Sequence, residues 1–351
     1  MTQANFKARP AAKSYHGIAT MRRYLPDTFT LLLVCTVILA SFLPIHGAYA
    51  DVFGIATDIA IGLLFFLHGA RLSRDTVVAG ALHWRLHLTI LLTTFCIFPL
   101  LGLAIGLIPT SVLAAPLYTG ILFLCVLPST VQSSIAFTSM AGGNVPAAIV
   151  SASGSNIFGM FLTPLLTGLV LSTTGGGGFS WDALQSILLQ LMLPFVVGQI
   201  LQPWIGNWIR SRKKLLMPVD RGSILMVVYL AFSEAVMEGL WHTFSLGDIA
   251  AVILVDMMLL ATVLCITMFG SRLLGFSKED EITITFCGSK KSLASGVPMA
   301  NAIFGNASSS VGAIVLPLML FHQVQLMACA VIAQKYAARL KEKTEAKPLA
   351  A

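Results

Sequence analysis

The chain has 351 residues, 56% of them hydrophobic and 11% charged, with a mean hydropathy of +0.85. Soluble domains carry about 25% charged residues, so the composition excludes one and points to a polytopic membrane protein. The net charge of +7 does not indicate a nucleic-acid partner: apart from Lys290 and Lys291, the basic residues fall in five clusters (7–23, 71–85, 210–221, 272–278 and 335–347) between apolar runs. That is the distribution of cytoplasmic loops and tails, and no basic surface interleaved with aromatics is present.

In chain order, the first feature is a basic leader, an apolar run from Phe29 to Leu43, and AYA at 48–50 before Asp51. It resembles a secretory signal, but the leader is long and nine more apolar segments follow, so 28–45 reads as a retained first span. Segments of membrane length then fall near 51–70, 87–108, 114–140, 145–171, 182–203, 218–240, 247–269, 281–305 and 310–335. Each is long enough to cross about 30 Å of hydrocarbon as a helix. With a cytoplasmic N-terminus, the loops 44–50, 109–115, 172–181, 241–246 and 306–309 are external, and none contains Lys or Arg. The expectation is ten spans with both ends inside, in the plasma (inner) membrane. Its parts are an N-terminal tail 1–27, a transporter domain 28–336 and a C-terminal tail 337–351.

The run TGGGG at 174–178 follows the fifth span. Without a preceding strand or a following Gly-Lys-Ser/Thr it is a linker, not a phosphate loop. Taken as 172–181, it divides the domain into 28–171 and 182–336, five spans each. An odd number per half inserts the halves in opposite orientation, as in many secondary transporters. A short internal match agrees, pairing Ser134-Ile135-Ala136 in span four with Ser292-Leu293-Ala294 in span nine.

Both matched spans are poor continuous helices. Span four has Pro128 followed by Ser129, Thr130, Gln132, Ser133 and Ser134; span nine has Gly288-Ser289-Lys290-Lys291-Ser292, then Gly296 and Pro298. Pro removes a backbone donor and Gly weakens a helix. Unwound backbone at membrane depth survives where it is packed in protein or lines a cavity, and there it offers carbonyls and helix ends to a ligand. A lysine at the centre of a membrane helix costs roughly 2.5–3.5 kcal/mol on insertion scales. Adjacent helical residues project about 100° apart. One lysine is therefore expected to face a cavity and the other to find carbonyls or an acid. Asp58, Glu234 and Asp256 are the acids deep enough to need a partner or a proton, whereas Asp51 and Glu238 lie near the interface. His68 reads as a boundary residue beside Arg71, and the six cysteines as apolar core without metal-ligand spacing.

The phrases IGLLFFLHGARLS (61–73), YLAFSEAVMEGLW (229–241) and CGSKKSLASGVPMANAIFG (287–305) resemble the bile acid:sodium symporter superfamily, in particular its SBF-like branch. The resemblance covers nearly the whole chain. It implies an all-α fold of ten transmembrane helices in two inverted five-helix repeats, panel and core domains, and broken helices four and nine that cross. In sodium-coupled members, the break in helix nine carries a Glu, then Gly, then Gln-Asn. Here Phe286 falls at the Glu, Gly288 remains, and Lys290 and Lys291 fall at Gln and Asn. The helix-four Ser-Asn pair falls on Ser133 and Ser134, and the helix-five hydroxyl positions on Ala148 and Ala152.

The expected solute- and ion-binding set is thus Gly288, Ser289, Lys290, Lys291 and Ser292, facing Gln132, Ser133, Ser134 and Asn156, with Glu234, Asp256 and Asp58 as acids. A lysine ammonium standing where sodium sits makes a carrier of small amphipathic anions that is sodium-independent or proton-coupled. The coupling ion, sodium or proton, stays open, as does the oligomeric state. No metal, cofactor or nucleic acid is expected; the partners are a small solute and the bilayer. A conventional sodium symporter and a non-transporting sensor that keeps the fold remain alternatives. No Ser/His/Asp pattern, HExxH or GxSxG points to an intramembrane enzyme.

Overall fold

The computed structural model describes residues 28–71, 83–109, 112–173, 181–237, 239, 244–305 and 311–346. The Gly-rich run, the N-terminal tail 1–27 and Glu238 lie outside them. Every regular element among the described residues is helical: α1 (Thr28–Phe42), α2 (Ala48–Arg71), α3 (Trp84–Leu92), α4 (Phe98–Ile105), α5 (Ala115–Val126), α6 (Gln132–Met140), α7 (Val145–Thr173), α8 (Trp181–Ser211), α9 (Lys213–Met237), α10 (Leu246–Leu273), α11 (Lys278–Gly288), α12 (Leu293–Phe304) and α13 (Val311–Ala346). A π turn, Thr93–Ile97, joins α3 to α4. Among the described residues, six stretches are long and apolar enough to cross a membrane: Ala48–Arg71, Trp84–Ile105, Val145–Leu171, Leu215–Met237, Leu246–Leu273 and Val311–Leu340. Ile55, Ile59, Leu100, Leu169 and Leu254 are exposed on them, as are Leu31 and Ile38 on α1, a surface suited to acyl chains and costly in water.

Three boundaries differ from the sequence expectation. AYA (48–50) is the first turn of α2. The basic stretch 210–221 is not a loop: only Arg212 separates α8 from α9. Residues 337–346, expected in a tail, prolong α13. In the last two, backbone hydrogen bonding continues past the apolar stretch, because a charged side chain at a helix end reaches water without unwinding the helix.

The helices pack in two sets. In one, α2 lies along α8, and α9 packs on α1 and α2. Glycine permits the α2–α8 approach: a Cβ on Gly69 would overlap the Phe195 carbonyl, and one on Gly198 the Phe66 carbonyl. The Gln199 side chain also donates to the Gly69 carbonyl. Close backbone contact of this kind gives dispersion where no hydrophobic drive separates helix from lipid. In the other set, α5 packs on α13, α10 on α11 and α13, and α12 on α13. The sets meet where α8 touches α7 and α12, and α9 touches α12 and α13.

Candidate functional site at two helix interruptions

Two pairs of short helices, α5–α6 and α11–α12, are separated by non-helical residues. Leu127 is extended (φ −72°, ψ 154°), as the ring of a following proline requires, and Pro128 has no N–H with which to continue α5. In the second pair, Ser289 turns its hydroxyl back to the Thr285 carbonyl at 2.6 Å. Ser292 then caps α12, accepting from the Ser295 N–H at 3.2 Å. The two interruptions touch. The Ser292 N–H donates to Pro128 O at 2.9 Å, Ser129 Oγ to Cys287 O at 2.5 Å, and Ser134 Oγ to Phe286 O at 3.0 Å. The matched serines, Ser134 and Ser292, thus each reach the opposite interruption.

Both lysines are fully buried, at 0% exposure. Lys291 Nζ donates to three carbonyls, Cys125 O at 2.7 Å, Thr94 O at 2.8 Å and Leu127 O at 2.8 Å, and lies 4.0 Å from the centre of the Phe98 ring. Carbonyls only accept, so three of them require three N–H bonds, and the group is an ammonium. Each carbonyl is free for a stated reason. In the π turn the Phe98 N–H serves Thr93 O; the same spacing would give Thr94 O to residue 99, which is Pro. The N–H that would serve Cys125 O, that of Ser129, is drawn to Ser155 Oγ at 3.0 Å. Leu127 lies past the end of α5.

Lys290 Nζ makes one hydrogen bond, to Ser133 O at 2.9 Å. It lies 4.0 Å from the Phe137 ring centre and 5.4 Å from that of Phe286, so its charge rests mainly on ring faces. The expectation that one lysine faces a cavity is corrected: neither does. Among the described residues neither has a carboxylate partner either, because freed backbone carbonyls provide enough acceptors.

Of the other expected residues, Asn156 bridges the sets of contacts. It donates to Ser129 O at 2.7 Å and accepts from Ser295 Oγ at 2.8 Å. Gly288 sits against Thr267 and Thr93, where a Cβ would be tight, and the Ser133 hydroxyl lies 2.7 Å from that of Thr130. Gln132 opens α6 on an exposed face, and Asp58 and Glu234 occupy exposed faces of α2 and α9; none of the three joins the contacts between the interruptions. Asp256 is fully buried in α10. His68, read as a boundary residue, lines a pocket of about 10 Å³ with Leu64, Phe65, Asn156, Met160, Ala294 and Ser295. That pocket lies between the two helix sets and has room for about one water.

Several contributors escaped the sequence reading. Gln325 of α13 accepts from the Lys291 N–H and donates to the Lys291 carbonyl, both at 2.9 Å. Thr163 donates to Val126 O at 2.8 Å. Signals existed: Gln325 is an amide within an apolar span, and Pro99 lies inside another.

Helices of membrane length, with unwound backbone and buried cations packed inside one helix set, mark an integral, multi-pass membrane protein of the transporter class. Residues 27–338 match the SBF-like CPA transporter family, and the chain belongs to that family, within the bile acid:sodium symporter superfamily. It is 58% identical over 317 residues to the uncharacterized protein PA2026 of Pseudomonas aeruginosa, covering 90% of this chain and 95% of that one. It is 53% identical over 310 residues to the putative symporter YfeH of Escherichia coli K12, with 88% and 92% covered. To sodium/bile acid cotransporter 7 of Mus musculus it is 27% identical over 271 residues, with 77% and 79% covered.

Proposed function

We propose that the chain is a secondary carrier that moves an amphipathic organic anion by alternating access and does not couple to sodium. In this reading α5–α6 and α11–α12 are spans four and nine of ten, broken where they cross, in two inverted five-span halves. The set α1, α2, α8 and α9 is the panel and the remainder the core. Both termini are cytoplasmic, and the small pocket between panel and core is the closed form of the solute path. A solute larger than a water enters only when α2 parts from α7 and α12.

The observation that carries the reading is the three-carbonyl seat of Lys291. Sodium needs oxygens free to turn toward it, ideally with an anionic one. Here the converging carbonyls are committed to an ammonium, and the position where sodium-coupled relatives carry Glu is the buried Phe286. A sodium ion does not fit this donor set. The anionic solute is held at the first turns of α6 and α12, whose N–H groups carry positive partial charge, and feels from behind them the positive field of the two buried lysines. The bile acid in the name of the mouse relative is chemistry of the same kind.

The test is the melting temperature of purified protein in sodium, potassium and choline chloride at matched ionic strength, with Lys291→Asn and Lys290→Gln alongside. The wild type is expected to melt alike in all three salts, with a sodium-selective rise appearing only in a lysine variant. A sodium-selective rise in the wild type returns the chain to ordinary sodium symport. Uptake of an organic anion into proteoliposomes against its gradient separates a carrier from a sensor.

A further inference from the structure

Asp256 is a buried carboxyl that the arrangement above leaves unused. It lies within α10, at 0% exposure, and both of its carboxyl oxygens are buried without a hydrogen-bond partner among the described residues. The contrast is Glu281, at 4% exposure. Glu281 receives Lys278 Nζ at 2.6 Å, Arg272 at 2.9 and 3.1 Å and the Tyr336 hydroxyl at 3.2 Å. A carboxylate with donors on both oxygens tolerates burial as an anion. One with none has lost its water and gained nothing. The protonated acid is the form that this conformation accommodates at Asp256.

We propose that Asp256 is the proton-carrying group of the transport cycle, sealed and protonated in the conformation described here and exchanging its proton with water in a conformation open to one side. The proposal rests on the carrier reading and names its coupling ion. The step is a simple ionisation: the carboxyl O–H breaks, the proton passes to water, and the carboxylate keeps the electron pair. The other candidates are committed elsewhere. Lys291 holds three carbonyls with all its protons, and Glu234 is exposed.

The groups around Asp256 suit that task. The Cys125 thiol of α5 lies within electrostatic range of both Asp256 and Lys291, and the Cys125 carbonyl holds the Lys291 ammonium. A carboxylate formed at Asp256 therefore acts on the same thiol as a fixed cation does. From 249 to 271, α10 carries no other charged residue. On the helices packed most against α10, the titratable side chains in the apolar stretches are Cys287 of α11 (282–288) and His322 and Cys329 of α13 (311–334). His322 is engaged with Gln325 at 2.9 Å. A groove of about 240 Å³ opens between α4 and α10, and Val255, the residue before Asp256, forms part of its wall.

The experiment is infrared spectroscopy of the reconstituted protein at neutral pH in H₂O and then in D₂O, with no solute added. Wild type is compared with Asp256→Asn and Asp256→Leu, and with wild type carrying ¹³C-carboxyl aspartate. The expected result is a protonated-carboxyl C=O band that disappears in both variants, shifts with ¹³C, and moves within minutes of transfer to D₂O while the protein stays folded. Leu is expected to fold, because an apolar side chain there removes an uncompensated polar group; the ¹³C shift needs no variant at all. A band that persists unshifted in D₂O marks a permanently sealed structural acid and overturns the proposal. The absence of any band that depends on Asp256 means an ionised group and overturns it equally. Neither outcome touches the carrier reading, which stands or falls on uptake.

Discussion

Lys291 and Lys290 sit side by side and are equally buried, yet one gives three protons to the carbonyls of two other chain segments and the other gives one to Ser133 and leans on two phenylalanine rings. The first works as a cross-link. It ties the π turn before α4 and the end of α5 to the start of α12, each through a carbonyl that a proline or a helix end had released. The second is a cation packed among π faces, where much of the attraction comes from the ring quadrupole and the stem contributes as apolar volume. Burial therefore does not measure how much of the fold depends on a charge; the number of oxygens left without a partner when it is removed does.

The largest effect is expected from Lys291→Met, which orphans three buried carbonyls. At about 1–3 kcal/mol for each unsatisfied group, offset in part by the relief of burying a charge, the net loss is about 3 kcal/mol, read as the steepest fall in melting temperature of the series. Lys291→Ala sharpens the point: n-propylammonium in the buffer should recover part of the lost stability, and a neutral alcohol of the same length should not.

Next comes Gln325→Leu, which removes both hydrogen bonds to the Lys291 backbone and is expected to cost about 2 kcal/mol. It tests whether the seat depends on how the main chain of residue 291 is held as well as on the ammonium.

A smaller loss, about 1 kcal/mol, is expected for Lys290→Met, since a thioether keeps the contact with the Phe137 and Phe286 rings. A loss equal to that of Lys291→Met would erase the distinction between the two lysines. The smallest effect should follow Ser245→Ala, far from both, where the N-cap hydroxyl accepts from the Asp248 N–H at 3.2 Å at an exposed helix start. Water replaces part of that bond, and the loss is expected at the low end for an N-cap, about 0.5 kcal/mol.

Much of this was legible beforehand. The apolar stretches, the charge-poor loops and the two weak helices follow from residue chemistry alone, because hydrocarbon rejects charge and a helix tolerates Pro and Gly poorly. Lys290, Lys291, Ser129 and Ser134 were legible as a group, since polar residues beside a broken apolar run have few other reasons to be there. For Asp58 and Glu234, hydropathy reports depth along a helix but not which face a residue occupies, and both lie on exposed faces. Gln325, Thr163 and Ser155 went unseen because a lone polar residue in a long helix carries no sign of what it will meet.

The sequence by itself determined that the chain is an all-helical membrane protein, where its helices weaken, and that two cations lie in one weak point. Only the tertiary structure decided what those cations do. The acceptors of Lys291 come from Thr94, Cys125 and Leu127, some 165 to 200 residues away, and no local rule links a proline in one helix to an ammonium in another. The same holds for Asp256. Its depth was readable, but whether it had a donor depended on every helix packed around it.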